Sequence, residues 1–454
     1  MIPSVTNRIL CGMSEVWDYL SSGYAVLIYA VVLILLVALL IVSVLIADNK
    51  SKIVIDKNPN APEEKKREAN IKEKQSSRQE NSEKTERIGV KKEKWNGERF
   101  PSLLKIDKEH EKYERSDYDE SITLKTLCEN LRNFAANKNL YYDIEDIRRF
   151  ISGLATSHIM ILQGMSGTGK TSLAYVFGKF LDNQSTVIPV QPMWKERTDL
   201  LGYYNEFTKQ FNETPLLEKM YEANYSKDMY VTVLDEMNIA RVEYYFAEFL
   251  SVLELPDADK RYLNVVSSQW EKDPKLFKDG QIRLPENMWF IGTANNDDST
   301  FAISDKVYDR AMVMNLDNKA EPFAAAKEQC VHITAERFNG LAKAARKEYR
   351  MTKRNERRLE MLDKYIIEHF HITFGNRIMN QIRNYIPVYV GCGGDEVAAL
   401  DDILAKKVLR KIETQNPIYI KNAAEGFCVY LDELFGEDRM PLCKALMRRF
   451  EKNV

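Results

Sequence analysis

Cysteine is scarce in this chain of 454 residues. The six present (Cys11, Cys128, Cys330, Cys392, Cys428 and Cys443) are scattered, and no CxxC pair is among them. That usage suits a reducing compartment and offers no zinc ribbon or disulfide framework. Histidine is scarcer, with five residues in no zinc-like spacing; His369 and His371 flank Phe370 without a nearby cysteine to complete a site. Net charge is almost absent. Lys+Arg number 65 against 67 Asp+Glu, giving −2, so the chain lacks the global basic signature of nucleic-acid binding. Neither a nuclease motif nor a dedicated DNA-reading domain is present. One stretch lacks charge altogether: no charged residue occurs between Asp18 and Asp48.

Within that stretch, Tyr24 to Ile46 reads YAVLIYAVVLILLVALLIVSVLI. A run of this length, apolar on all sides, spans a bilayer core with some tilt and does not suit a soluble helix. The segment before it is long for a signal peptide and carries only Arg8 beside Glu15 and Asp18. Lys50, Lys52, Lys57, Lys65, Lys66 and Arg67 follow the run. This lysine and arginine asymmetry predicts a cytoplasmic C-terminal side, with the basic cluster placed to meet anionic headgroups. The expected order is an extracytoplasmic tail (1–23), a transmembrane helix (24–46) and a charged tether (47–120). In the tether roughly half the residues carry charge of mixed sign. Asn58-Pro59 and Ala61-Pro62 break helix there, and Ile71, Ile88 and Val90 fall in no heptad.

From Ser121 the chain reads as globular. Leu124, Leu127, Cys128 and Leu131 recur at helical spacing, and Asp143 to Leu154 gives a second amphipathic helix. Strands then alternate with helices to about residue 320, and helical periodicity dominates from Glu321. The expected fold class is α/β: a phosphate-loop domain with a parallel sheet at 121–320, then a helical lid domain at 321–454.

Two motifs carry chemistry. His158 to Gln163 (HIMILQ) is a buried-strand run, followed by GMSGTGKT at Gly164 to Thr171 and a helix-like SLAYVFGKFL. This is the GxxxxGK[ST] phosphate loop in its strand–loop–helix context. Backbone amides of Gly164, Ser166, Gly167, Thr168, Gly169 and Ser172 close around phosphates, Lys170 reaches the β- and γ-phosphates, and Thr171 ligates Mg²⁺. About 65 residues on, Tyr230 to Glu236 reads YVTVLDE, an apolar strand ending in two acids. In phosphate-loop ATPases the first acid, Asp235, holds Mg²⁺ and the second, Glu236, activates water. With the strand Thr186 to Gln191 between them, both motifs fit the C-terminal edge of a parallel sheet.

Several stretches resemble the McrB-like branch of the AAA+ ATPases, near the MoxR and dynein-related domains. They are WKERTDLLGYYNEFTKQF (194–211), DEMNIARVEYYFAEFLS (235–251), GTANNDDSTFAISDKVYDRA (292–311) and FGNRI (374–378). The resemblance covers roughly 140–450. It implies that Asn295, with Asn296 as the alternative, is the sensor that contacts the attacking water or γ-phosphate. It implies that Arg310 is the arginine finger given to a neighbouring subunit, although members tied to nucleases often carry several consecutive arginines there. Arg377 matches the second sensor, reaching the γ-phosphate from the lid. Tyr141 and Tyr142 lie where the family meets the adenine base, a place in the core being the other reading. The stretch 275–285, with Asp-Gly at its turn, resembles the hairpin before the first sensor, which often faces the ring pore. GTP-using members carry methionine–asparagine and then aspartate three residues on. Ala294, Asn295 and Asp298 keep two of those three, and ATP is taken as the nucleotide.

The resemblance therefore implies an ATPase using ATP and Mg²⁺ in a homo-oligomeric ring, a hexamer, and the apolar run with its lysine asymmetry predicts that it is held at the cytoplasmic face of the cell membrane. Two kinds of work remain open: remodelling a protein partner, which the membrane run favours, or driving a nucleic-acid restriction system whose nuclease is another chain.

Overall fold

The computed structural model of the protein describes residues 97–110, 117–295, 300–317, 320–373, 375–414 and 417–452. The expected tail, transmembrane helix and most of the tether lie outside the described residues, as do Asn296 and Asp298. Among the described residues no helix is long and apolar enough to cross a membrane.

The strands are β1 (Ile159–Gly164), β2 (Thr186–Pro189), β3 (Gly202–Asn205), β4 (Gln210–Glu213), β5 (Tyr230–Asp235), β6 (Tyr262–Asn264), β7 (Gln281–Arg283), β8 (Met288–Asn295) and β9 (Met312–Asn315). Five of them form one sheet in the order β2-β5-β8-β1-β9, with every neighbouring pair parallel. A parallel sheet needs cover on both faces, which explains the uninterrupted apolar runs in β1 and β8. Side chains alternate accordingly along β1. Met160 and Leu162 join the core under the helices Leu124–Ala136, Ile144–Thr156 and Lys170–Phe180, while Ile159 and Ile161 join the opposite core with Pro215–Ala223 and Ala247–Leu253. All four apolar residues that predicted the first of these helices are buried. Its start is a capping box: Thr123 accepts from the Thr126 amide, and the Thr126 hydroxyl accepts from the Thr123 amide.

Two hairpins project from this body. β3 and β4 are joined by a turn that leaves Phe207 almost fully exposed. In the other, Asp279 and Gly280 both take positive φ (52° and 76°) between Lys278 and Gln281, as a two-residue Asp-Gly turn requires. Its ladder pairs β7 with β6, so the hairpin is wider than the stretch 275–285 suggested.

The folded body also begins earlier than the expected end of the tether at residue 120. Pro101–His110 is a helix with Phe100 and Leu103 fully buried. The Glu213 carboxylate accepts from the Ser102 and Leu103 amides at its N-terminus (2.9 and 2.8 Å), and Arg99 pairs with the buried Asp273. Beyond β9, residues 320–332 form neither helix nor strand, where helix was expected. The helices then run Ala335–Glu348, Lys353–Phe370, Asn376–Gly391, Glu396–Lys407, Pro417–Phe435 and Pro441–Lys452, most of them around a third core.

Candidate active site

β1 delivers the chain to the phosphate loop at its C-terminal end. Gly164 (φ +142°), Gly167 (φ +77°) and Gly169 (φ +93°) take conformations that L side chains avoid. The helix Lys170–Phe180 begins immediately after, so its unpaired amides face the loop. The Lys170 ammonium is buried and donates to the carbonyls of Gly164 (3.0 Å) and Met165 (2.7 Å), folded across the loop it serves. Ser166 is exposed at the crest, Thr168 donates to the Met165 carbonyl at 3.0 Å, and Ser172 lies in the first helical turn.

The two acids arrive on β5. Asp235 ends the strand, and its Oδ1 accepts from the Thr171 hydroxyl at 2.7 Å. The expected metal-holding pair is thus assembled at one point. Oxygen donors of this kind suit a hard cation such as Mg²⁺, and the residues present fit it. Glu236 is exposed and sits at φ 53°, ψ 47°, a left-handed conformation unusual for glutamate. Asn295 ends β8 directly beside Gly164 in the β1–β8 register, at the same edge of the sheet. Loop, acids and Asn295 therefore converge as expected.

Sequence reasoning missed two residues here. The buried Thr293 hydroxyl donates to Asp235 Oδ1 (2.7 Å) and accepts from the Glu236 amide (2.9 Å), linking both acids. A signal existed: Thr293 is two residues before Asn295 on a strand, hence on the same face. Buried Asn238 donates to the Asn295 carbonyl and to the Thr300 hydroxyl, each at 2.9 Å, fixing the chain after β8.

Tyr142 takes the core reading and is corrected as a base contact. Its side chain is buried beneath the loop, where its hydroxyl donates to the Gly169 carbonyl at 2.9 Å. Burial raises the phenol well above its ordinary range, which keeps it a neutral donor. Tyr141 stands edge-on to Phe323 instead.

The two arginines lie elsewhere. Arg310 follows the short helix Asp305–Tyr308 and precedes β9, whose Met312 pairs with Met160 of β1. At about 3.3 Å per residue, Arg310 is roughly 20 Å along the sheet from the loop that follows Gly164. Arg377, in the first turn of Asn376–Gly391, was expected to reach the γ-phosphate from the lid. The structure sets it beside Arg310 instead: its helix packs on Ile144–Thr156, and Gln381 of that helix donates to the Asp309 carbonyl at 3.0 Å. Each arginine takes one oxygen of the Glu254 carboxylate, Arg310 at 2.8 Å and Arg377 at 2.6 Å. Glu254, absent from the sequence reading, carries no local signal; only the fold brings it to both guanidinium groups. Arg310 also donates to the Lys306 carbonyl at 2.8 Å.

Residues 159–311 match the family model described as AAA domain (dynein-related subfamily). No curated protein matches the chain. Among solved structures it is similar to a candidate ATPase from Cytophaga hutchinsonii, at 13% identity and a TM-score of 0.42, over 64% of this chain and 85% of that one. It is also similar to a full-length MCM homologue from Methanopyrus kandleri, at 10% identity and a TM-score of 0.31, over 64% of this chain and 56% of that one. Likenesses this distant say nothing of what the chain acts on. The matched segment carries the phosphate loop, the acid pair and Asn295 on one parallel sheet: residues 159–311 are an AAA domain of the dynein-related subfamily, and the chain is an ATPase.

Proposed function

We propose that this chain works as a ring of identical copies, a hexamer, in which each copy offers Arg310 and Arg377 to the nucleotide of its neighbour. The ring is held at the cytoplasmic face of a membrane by residues 24–46 and uses ATP to remodel a protein partner. The observation that carries the reading is the separation of Arg310 and Arg377 from their own phosphate loop by the length of the sheet.

In the reaction, the loop amides and Lys170 hold the triphosphate, and Thr171 with Asp235 would hold Mg²⁺, which supplies charge neutralisation on the β- and γ-phosphates. Glu236 accepts a proton from the attacking water while Asn295 orients that water. Arg310 from the next copy neutralises charge developing on the γ-phosphate. Most of the acceleration is positioning and electrostatics.

Mixing two inactive variants tests the ring. Arg310→Ala should bind nucleotide and lose about 10³-fold in hydrolysis, the usual scale for such a finger. Lys170→Ala should fail at its own loop. Mixed rings, with subunit exchange shown by tagged pull-down, should recover activity, because the Lys170→Ala copy still offers its arginine to an intact loop. No recovery in exchanged rings would refute the reading. Membrane placement is tested separately: an impermeant maleimide on intact cells should label Cys11 and spare the Cys11→Ser protein, with a cysteine added at the N-terminus as a control for burial. Strong, salt-sensitive stimulation of hydrolysis by DNA or RNA would instead favour the nucleic-acid motor.

A further inference from the structure

The segment Asp305–Ala311, which carries Arg310, is tied to the α/β core by the buried side chains of Val307 and Ala311 and by Ser157, which donates to the Arg310 carbonyl at 2.9 Å. It is one helical turn, and Ser304 at its N-cap makes no side-chain capping bond. Further attachments come from the C-terminal helices. Gln381 donates to the Asp309 carbonyl at 3.0 Å, Arg410 pairs with Asp305 and lies 3.8 Å over the Tyr308 ring, and Lys411 pairs with Asp309 at 3.2 Å. At the centre is Lys407, the last residue of Glu396–Lys407. Its ammonium donates to the carbonyls of Tyr308 (2.6 Å) and Ala311, which flank Arg310 on either side.

Lys407 is only 3% exposed. Burying an ammonium is unfavourable, and an apolar side chain would fill the same space without that cost. Burial pushes the amine down to about 7, with Asp309 favouring its charge and Arg410, Lys411 and Arg377 opposing it. What an apolar residue cannot do is hold two carbonyls at fixed positions on either side of Asp309 and Arg310.

We propose that Lys407 is a positioning residue for hydrolysis in the neighbouring copy: it clamps the backbone on both sides of Arg310 to the helical region, so that this region and the arginine move as one body. The proposal rests on Arg310 acting in trans.

Lys407→Met keeps the length of the side chain and removes the donor. Nucleotide affinity should stay within about threefold of wild type, while kcat falls about tenfold or more, because the damaged part is the one given away. Mixing separates this from general damage. Lys407→Met with Lys170→Ala should recover activity, since the first has an intact loop and the second an intact clamp. Lys407→Met with Arg310→Ala should not, since neither offers a well-placed arginine. Recovery in that second mixture, equal to that of Lys170→Ala with Arg310→Ala, would overturn the proposal, as would unchanged kcat in Lys407→Met alone. Failure of the first mixture would show that Lys407 serves its own loop or fold, and would overturn it too. If Lys170→Ala with Arg310→Ala fails to recover, it is the trans reading that falls, and the proposal with it. Should Lys407→Met not fold by circular dichroism, Arg410→Ala removes an outer attachment of the same segment. It should show the same mixing pattern with a smaller loss, and the opposite pattern refutes the clamp.

Discussion

Thr293→Val is the most direct test of how the site is held. Valine keeps the shape of this buried side chain and removes one hydroxyl, which joins the Asp235 carboxylate at 2.7 Å to the Glu236 amide at 2.9 Å. A hydrogen bond to a charged group contributes about 1.5–3 kcal/mol, and the Glu236 amide left without its acceptor costs about 1 kcal/mol or more. Glu236 holds a left-handed conformation, itself costing about 1 kcal/mol, and the Thr293 bond helps keep it there. If about 2 kcal/mol of this is lost in the transition state, hydrolysis slows about 30-fold. Nucleotide affinity should change much less, because the loop and Lys170 are untouched. Thr293→Ser retains the hydroxyl and should recover most of the rate. Steady-state phosphate release, equilibrium nucleotide binding and urea unfolding on the three proteins suffice. A Thr293→Val protein that hydrolyses within threefold of wild type while folding normally would refute the account of how the acids are held.

Glu236→Gln should bind nucleotide normally yet release phosphate about 10²-fold more slowly, the scale for losing a general base; normal turnover would remove Glu236 from that role. Gly164→Ala should abolish nucleotide binding and lower stability, because its Cβ would collide with the Leu316 carbonyl oxygen, whereas Gly167→Ala meets nothing within 4 Å and suffers only backbone strain, about 1 kcal/mol. Thermal melts of both variants decide between these. Burial pushes His158, stacked on Trp289, from its ordinary 6.5 to about 4. The unfolded chain then takes up the proton first as pH falls, so stability present above pH 6.5 is lost progressively towards pH 4. Melting temperatures from pH 7.5 to 5 should fall less steeply for His158→Gln; equal slopes would discount the histidine.

What the sequence made legible was local. The loop needs small residues at fixed spacing, and buried strands need apolar runs, so β1, β2 and β5 could be placed from short windows. The helix Pro101–His110 was hidden because PSLLKIDKEH looks like the charged tether around it; burial of Phe100 and Leu103 depends on β4 and on Asp273, over a hundred residues away. Glu254 and Lys407 were illegible for the same reason. Their partners are Arg310 and Arg377 in one case and the Tyr308 and Ala311 carbonyls in the other, contacts between residues far apart in sequence that exist only in the folded chain. Tyr142 shows the converse: its position ahead of the loop was right, but the neighbouring core decided that its ring would be buried and its hydroxyl spent on Gly169.

The proposed division of labour between copies traces to one pairing. Strands β5, β8 and β1 run parallel, so whatever follows their C-terminal ends gathers at one edge, and the loop, the acids and Asn295 do so. Arg310 precedes a strand instead of following one. Had β9 paired antiparallel to β1, its first residue would lie beside the loop and Arg310 could serve its own phosphates. Because β9 is parallel, with Met312 against Met160, the residue entering it must sit at the opposite edge. No side chain bridges that length. The same parallel geometry that concentrates phosphate binding at one edge therefore pushes the arginines to the other, where Glu254 and the C-terminal helices can hold them. In the proposed ring, hydrolysis would depend on how the helical region of one copy meets the loop of the next, which is where a partner pulling on the ring would be felt.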